Sequence, residues 1–196
     1  MYRLTIKDIL EATGGVLLCG DENTEIKDVC INSKEIKPGD LFVPIIGERV
    51  DAHRFIESAL HTGAATLTSQ HTDIVVSEKP FVYVSDTEKA LQDIGAYVRR
   101  KFKKPVIGVT GSVGKTTTRQ MIATVLSGCL NVYQTEGNLN SQIGVPLTLR
   151  RIDENAEAAV LEMGISEPGQ MEILSDMVKP DICCLLYTSP SPRDRG

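Results

Sequence analysis

The sequence predicts an α/β protein in two parts, a small mixed α/β domain over residues 1–104 and a parallel-sheet domain over residues 105–186. After residue 105, apolar strands alternate regularly with helices, which is typical of right-handed βαβ units in a sheet covered on both faces. Before it, the strands are shorter and polar turns separate them. Residues 187–196 are rich in Ser, Pro and Arg, and we expect them to lie outside the sheet.

The first part opens with a helix predicted over residues 5–13, because Thr5 and Asp8 have the spacing of a capping box and two glycines follow. Two more helices are predicted, one at 54–61 and one that follows a cap at 85–86 and extends to 101. The predicted strands lie at 16–19, 26–31, 41–43, 65–68, 74–76 and 81–84.

The second part is predicted to hold four strands joined by three helices. The strands lie at 106–110, 131–134, 158–163 and 181–186, and the helices at 115–126, 143–151 and 169–178.

Composition limits the function classes. Lys plus Arg total 21 against 26 for Asp plus Glu, and the net charge of −5 argues against a general nucleic-acid or anionic-membrane binder. The basic run at 99–104 is interpreted as a solvated helix end, where cations complement the helix dipole, in preference to a binding patch.

The cysteines and the absence of long apolar runs suggest a location. The five cysteines form no C-x-x-C pair, which fits reduced thiols in a cytoplasmic protein and not a metal site. No signal-like or membrane-length apolar run occurs, so we expect no membrane insertion.

The segment 106–118 predicts a phosphate-binding loop between a strand and a helix. Gly111 and Gly114 allow a tight turn that aims backbone N–H groups at phosphate, Lys115 adds a charge, and the Thr116 hydroxyl can ligate Mg²⁺. An ordinary strand-to-helix turn is disfavoured because Gly-Lys-Thr follows an apolar strand. Val109 stands where the general pattern has its first glycine, so the loop is a Thr-Gly-x-x-Gly-Lys-Thr variant. The predicted phosphate-binding residues are Thr110, Gly111, Ser112, Val113, Gly114, Lys115, Thr116 and Thr117.

Glu162 ends a predicted strand, and in such sheets ligands bind at the carboxyl ends of strands. It is therefore predicted to hold Mg²⁺ beside the loop, although a surface Glu could end a strand in the same way. Asn138 and Asn140 follow another strand and could be either ligands or turn and cap residues. Four polar residues of the first part could contact a phosphorylated ligand, but by themselves they are more simply solvated turn residues: Ser33, Lys34, Arg49 and His53.

Several motifs together resemble the ATP-dependent Mur ligases of bacterial cell-wall synthesis. They are Thr-Gly-Ser-Val-Gly-Lys-Thr-Thr-Thr at 110–118, Glu-Gly-Asn-Leu-Asn followed by Ile-Gly-Val-Pro-Leu-Thr at 136–148, Leu-Glu-Met-Gly at 161–164, and Lys-Pro-Gly-Asp-Leu-Phe at 37–42 followed by Gly-Glu-Arg-x-Asp-x-His at 47–53. The resemblance extends from the N-terminus to about Cys184. Asn32 and Ser141 depart from the usual pattern, which has Asp and Asn there.

The resemblance implies a first domain for the UDP end of the substrate, a P-loop central ATPase domain and a third, C-terminal domain. The implied reaction is the ATP-dependent joining of D-alanyl-D-alanine to UDP-MurNAc-tripeptide through an acyl phosphate. We also expect a monomer that binds no nucleic acid. Implied catalytic residues are Lys115, Asn138 and Glu162, with Thr116 and Glu162 at Mg²⁺. Implied substrate-binding residues are Ser33, Lys34, Arg49, His53 and Asn140.

Later family motifs and the third domain do not follow Cys184. In preference to a genuine degenerate protein, we therefore expect a C-terminally truncated, incomplete central domain with a foreign tail at 187–196, inactive alone. Three alternatives stay open: a sister ligase that adds another amino acid, a non-catalytic fragment that binds the UDP-substrate or nucleotide, and a different P-loop protein such as a kinase. The segment 138–146 and the first domain speak against the last.

Overall fold

The computed structural model describes residues 1–70 and 78–187 and divides into two units, Met1–Tyr97 and Val98–Gly196. The strand predicted at 74–76 and the tail beyond Tyr187 lie outside the described residues. The domain boundary predicted after residue 104 stays a prediction.

The first unit contains a five-stranded mixed sheet and a separate two-stranded ribbon. Its elements are β1 Leu4–Thr5, α1 Ile6–Thr13, β2 Val16–Cys19, β3 Glu25–Ile26, β4 Val29–Cys30, β5 Leu41–Phe42, a 3₁₀ turn Ala52–Phe55, α2 Ile56–Thr62, β6 Ala65–Thr68, β7 Phe81–Tyr83 and α3 Thr87–Lys101. The sheet order is β2-β7-β6-β5-β4, with only β2 antiparallel to its neighbour, while β1 and β3 form the ribbon. A core of Phe42, Ile56, Ala59 and Phe81 lies under α2.

Local signals placed most of these elements well. The capping box is present: Thr5 N–H donates to Asp8 Oδ2 at 2.8 Å, and Asp8 N–H donates to Thr5 Oγ1 at 3.4 Å. The single strand predicted over 26–31 is wrong. The chain changes sheets there, because β3 pairs with β1 whereas β4 pairs with β5. Between β3 and β4, the Lys27 N–H donates to the Gly39 carbonyl.

The second unit is built around the parallel sheet that the sequence predicts. Its elements are β8 Val106–Thr110, α4 Lys115–Leu126, β9 Val132–Gln134, α5 Gly144–Arg150, β10 Ala158–Glu162, α6 Gln170–Val178 and β11 Ile182–Leu185. The strand order is β11-β8-β10-β9, and every pair is parallel. The predicted α/β class is confirmed, and β8 and α4 have the predicted bounds.

The neighbouring strands β8 and β10 position the candidate site. Glu162 at the end of β10 lies in register with Val109, next to the last residue of β8. Val109, Ala123 and Val160 pack together under α4, so the start of this helix is held against the same sheet edge.

The basic run at 99–104, which begins in the last turn of α3, is only partly the solvated helix end that we expected. Arg99 has a side chain 12% exposed. It donates from Nε to the Val178 carbonyl at 2.6 Å and from Nη2 to the Lys179 carbonyl at 2.8 Å. These are carbonyls at the end of α6, so Arg99 satisfies groups that a helix terminus leaves open.

Across the part of the chain that the structure describes, we find no helix that combines the length and the apolar character needed to span a bilayer.

Candidate functional site

The loop between β8 and α4 has the backbone conformation that its glycines permit. Gly111 and Gly114 have φ values of 135° and 86°, which L-residues with a side chain rarely adopt. A Cβ on Gly111 would also lie 2.8 Å from Leu186 Cβ. Both positions therefore require glycine for this turn.

The predicted phosphate-binding residues lie together at the start of α4. Ser112, Val113 and Gly114 are exposed, as are Thr116 and Thr117, while Thr110, Gly111 and Lys115 are half-buried. Some of their donors already have partners within the chain, since Lys115 Nζ donates to the Gly111 carbonyl at 2.8 Å and Ser112 N–H donates to the Tyr187 carbonyl at 2.9 Å. A phosphate at the loop would compete for these donors.

Glu162 lies at the centre of a hydrogen-bonded cluster. It is 2% exposed. Its Oε2 accepts from the Thr116 hydroxyl at 3.0 Å, its Oε1 accepts from the Asn140 amide at 2.7 Å, and its backbone N–H donates to Thr135 Oγ1 at 2.9 Å. The structure thus brings together three residues that the sequence analysis singled out from separate segments.

Arg119 is a site residue that the sequence analysis missed. It lies in the second turn of α4 with a side chain 5% exposed, and its Nε is 4.0 Å from Glu162 Oε2. Nη1 donates to the Thr135 carbonyl, whereas Nε has no hydrogen-bond partner among the described residues. Its spacing could have identified it from the sequence, because a residue three positions after Thr116 in a helix lies on the same helix face as Thr116.

The donor set fits a magnesium ion better than a softer metal. Thr116 Oγ1 and Glu162 Oε2 are hard oxygen donors 3.0 Å apart. Within 1–70 and 78–187, no group of three or more His, Cys, Asp or Glu side chains could form a cage for a metal ion. Mg²⁺ is commonly held by one or two carboxylates plus substrate phosphates. The cluster could provide the carboxylate, and a nucleotide at the neighbouring loop would provide the phosphates.

Among the described residues, Asn138 forms no hydrogen bond with Glu162. Its side chain is exposed and makes no hydrogen bond to the described residues, while its carbonyl accepts from Asn140 N–H at 2.8 Å. Its predicted catalytic role stays a prediction.

The first-unit candidates differ from one another. Lys34 and Arg49 are exposed and Ser33 is half-buried, so their side chains can reach solvent. His53, by contrast, is 3% exposed. Since its Nε2 accepts from Ser69 N–H at 3.1 Å, Nδ1 carries the proton and donates to Asp51 Oδ1 at 2.6 Å.

This contact also affects Asp51. The backbone N–H of His53 donates to the Asp51 carboxylate, and the His53 ring and the Gln70 amide donate to it as well. These hydrogen bonds favour the ionised form and lower the pKa of Asp51 below its ordinary value of 3.8. The geometry favours a structural role for His53 in its own unit, and its predicted substrate contact stays a prediction.

Comparison with known proteins gives consistent matches over both units. The Mur ligase middle domain matches residues 109–191, and the Mur ligase family catalytic domain matches residues 25–100. The UDP-N-acetylmuramoyl-tripeptide–D-alanyl-D-alanine ligase of Bacillus subtilis is 40% identical over 183 residues, which cover 92% of this chain and 40% of that protein. The chain therefore spans about 40% of the length of the curated relatives it matches.

Solved structures agree with the sequence matches. A crystal structure of MurF from Acinetobacter baumannii superposes with a TM-score of 0.89 at 31% identity, over 97% of this chain and 42% of that one. The MurF ligase from Thermotoga maritima in complex with ADP gives a TM-score of 0.74 at 35% identity, over 82% of this chain and 37% of that one.

Proposed function

This chain belongs to the Mur ligase family, and we propose that it forms the substrate- and nucleotide-binding part of an ATP-dependent ligase that joins D-alanyl-D-alanine to UDP-MurNAc-tripeptide. The observation that carries the proposal is the Thr116–Glu162–Asn140 cluster beside a glycine-bounded loop at the carboxyl ends of β8 and β10. The names of the relatives support the substrate pair, and the ADP complex of the Thermotoga protein supports the nucleotide.

In this proposal the second unit binds ATP. Backbone N–H groups from Gly111 to Lys115, with the positive end of α4, hold the phosphates, and Lys115 exchanges its bond to the Gly111 carbonyl for one to a phosphate oxygen. Thr116 and Glu162 are the residues that would hold Mg²⁺, which when bound neutralises negative charge on the phosphates.

The reaction needs mainly positioning and charge stabilisation from these residues. The γ-phosphoryl group passes from ATP to the terminal carboxylate of the tripeptide, and ADP leaves. The amine of D-alanyl-D-alanine then attacks the acyl phosphate, the amide forms, and inorganic phosphate departs with its bonding electron pair. Lys115 and the loop amides stabilise the charge that develops during the first step.

The first unit is proposed to bind the UDP end of the substrate, with the exposed Lys34 and Arg49 as candidates for the phosphates. The proposal includes a cytoplasmic location. It is supported by the cysteines, all within the described residues, because none of them forms a disulfide: Cys19, Cys30, Cys129, Cys183 and Cys184.

The test is calorimetric titration of the 196-residue chain with MgADP and, separately, with UDP-MurNAc-tripeptide. Lys115→Ala removes a charge-assisted contact of about 1.5–3 kcal/mol, so MgADP affinity should fall about 10- to 100-fold. Affinity for the UDP-substrate should not change, and the exposed Lys104→Ala should change neither. Loss of both ligands together in Lys115→Ala, or a wild-type chain that binds neither, would contradict the proposal.

A further inference from the structure

The two oxygens of the Glu162 carboxylate have different environments. Oε1 accepts the Asn140 amide at 2.7 Å, a short contact for N–H···O. Oε2 accepts a hydrogen bond from the Thr116 hydroxyl at 3.0 Å, and because a hydroxyl can rotate its O–H away, both of these oxygens can turn to a hard cation. Arg119 Nε lies 4.0 Å from Oε2, beyond hydrogen-bond distance, so it does not occupy that oxygen.

The backbone of Asn140 is held by two hydrogen bonds, one through its N–H and one through its carbonyl. Its N–H donates to the Asn138 carbonyl at 2.8 Å, and its own carbonyl accepts from Gly164 N–H at 2.8 Å. Gly164 lies so close that a Cβ there would be 3.0 Å from Asn140 Cγ. The Asn140 side chain therefore packs against Gly164 while its amide nitrogen donates to Glu162.

We propose that Asn140 is a positioning residue that occupies Oε1 of Glu162 and leaves Oε2, the oxygen beside the Thr116 hydroxyl, for the divalent cation of a bound nucleotide. A carboxylate can bind a cation through one oxygen or both, and a donor held on one of them selects the single-oxygen mode. This inference rests on the proposed function, and it gives Asn140 a role other than the substrate contact predicted from the sequence.

The consequence is specific to metal-dependent binding. Groups that hydrogen-bond to a metal-ligating carboxylate fix its orientation, and their removal costs about 10- to 100-fold in metal affinity. Asn140→Ala should thus weaken the contribution of Mg²⁺ to nucleotide affinity and leave metal-free nucleotide binding unchanged. A residue needed only for folding would reduce both together.

The experiment titrates the 196-residue chain with ADP by calorimetry, once in MgCl₂ and once in EDTA. The quantity compared is the ratio of the two affinities. In Asn140→Ala this ratio should fall at least about tenfold relative to wild type. Asn140→Ser, whose hydroxyl is too short to reach Oε1, should behave the same and serves if the alanine variant does not fold.

Asn155→Ala is a matched control. Asn155 also donates its side-chain amide to a carboxylate, Asp153 Oδ1 at 3.3 Å, but it is exposed and precedes β10, at the other end of the strand from Glu162. Its ratio should equal that of wild type.

An unchanged ratio in folded Asn140→Ala or Asn140→Ser would overturn the inference, as would equal losses in MgCl₂ and EDTA. A wild-type chain that binds ADP equally with and without Mg²⁺ would overturn it but leave the nucleotide site standing. A wild-type chain that binds no ADP at all would refute the proposed nucleotide site, and the inference with it.

Discussion

Replacing Arg119 with Met tests how much the buried ion pair with Glu162 contributes to folding. The two side chains are 5% and 3% exposed, and the closest N–O distance is 4.0 Å. Removing one partner of a buried pair costs about 3–5 kcal/mol, because the remaining charge is uncompensated in a poorly solvated site. The variant also leaves the Thr135 carbonyl without its Arg119 donor. Since 4.0 Å is long for a direct contact, we expect the lower end, a loss of about 3 kcal/mol in the free energy of unfolding.

Arg151→Met is the matched control, because Arg151 Nη1 lies at the same 4.0 Å from Glu136 Oε2 but the side chains are 33% and 67% exposed. An exposed pair contributes about 0–1 kcal/mol, so a clearly smaller loss is expected for Arg151→Met than for Arg119→Met. The double variant Arg119→Met/Glu162→Gln should lose less than the sum of its single variants, since no charge is left unpaired.

The assay is urea unfolding combined with hydrogen exchange of peptides from β10, which reports on the second unit by itself. A loss below about 1 kcal/mol in Arg119→Met, no larger than in Arg151→Met, would refute the reasoning that burial makes this pair important.

Two further predictions concern the first unit. Thr5→Ala removes the N-cap of α1 and should lower the free energy of unfolding in urea by about 1 kcal/mol. Thr5→Ser keeps a capping hydroxyl and should restore most of this loss. A serine variant as unstable as the alanine variant would contradict the role of Thr5 as a cap. The folded-state pKa of Asp51 is below 3.8, so its stabilising effect is present above pH 3.8 and is lost as the pH falls through the lowered value. When the free energy of unfolding is measured above and below pH 3.8, Asp51→Asn should therefore lose less of it on acidification than wild type does. An equal loss in the two proteins would contradict the expected direction.

Most of the second unit could be predicted because its signals are local. The apolar strand β8, the two glycines and Gly-Lys-Thr define a turn and a helix start within a short stretch of chain, and the observed bounds of β8 and α4 agree with it. The region around Lys27 could not be predicted in this way. Its apolar residues fit one continuous strand, and only the choice of pairing partners divides it between β3 and β4.

The sequence by itself determined the α/β class, the phosphate-loop backbone and the presence of a carboxylate at the end of a strand, since periodicity and glycine placement depend on near neighbours in the chain. The sequence analysis also placed Thr116 and Glu162 together at Mg²⁺, whereas the contacts of Asn140 and Arg119 with that carboxylate came only from the tertiary structure. Thr116 and Asn140 reach Glu162 from 46 and 22 residues away, and Arg119 lies at the same carboxylate. The strand order β11-β8-β10-β9 makes this possible by placing β10 beside β8, and no spacing in the sequence specifies that adjacency.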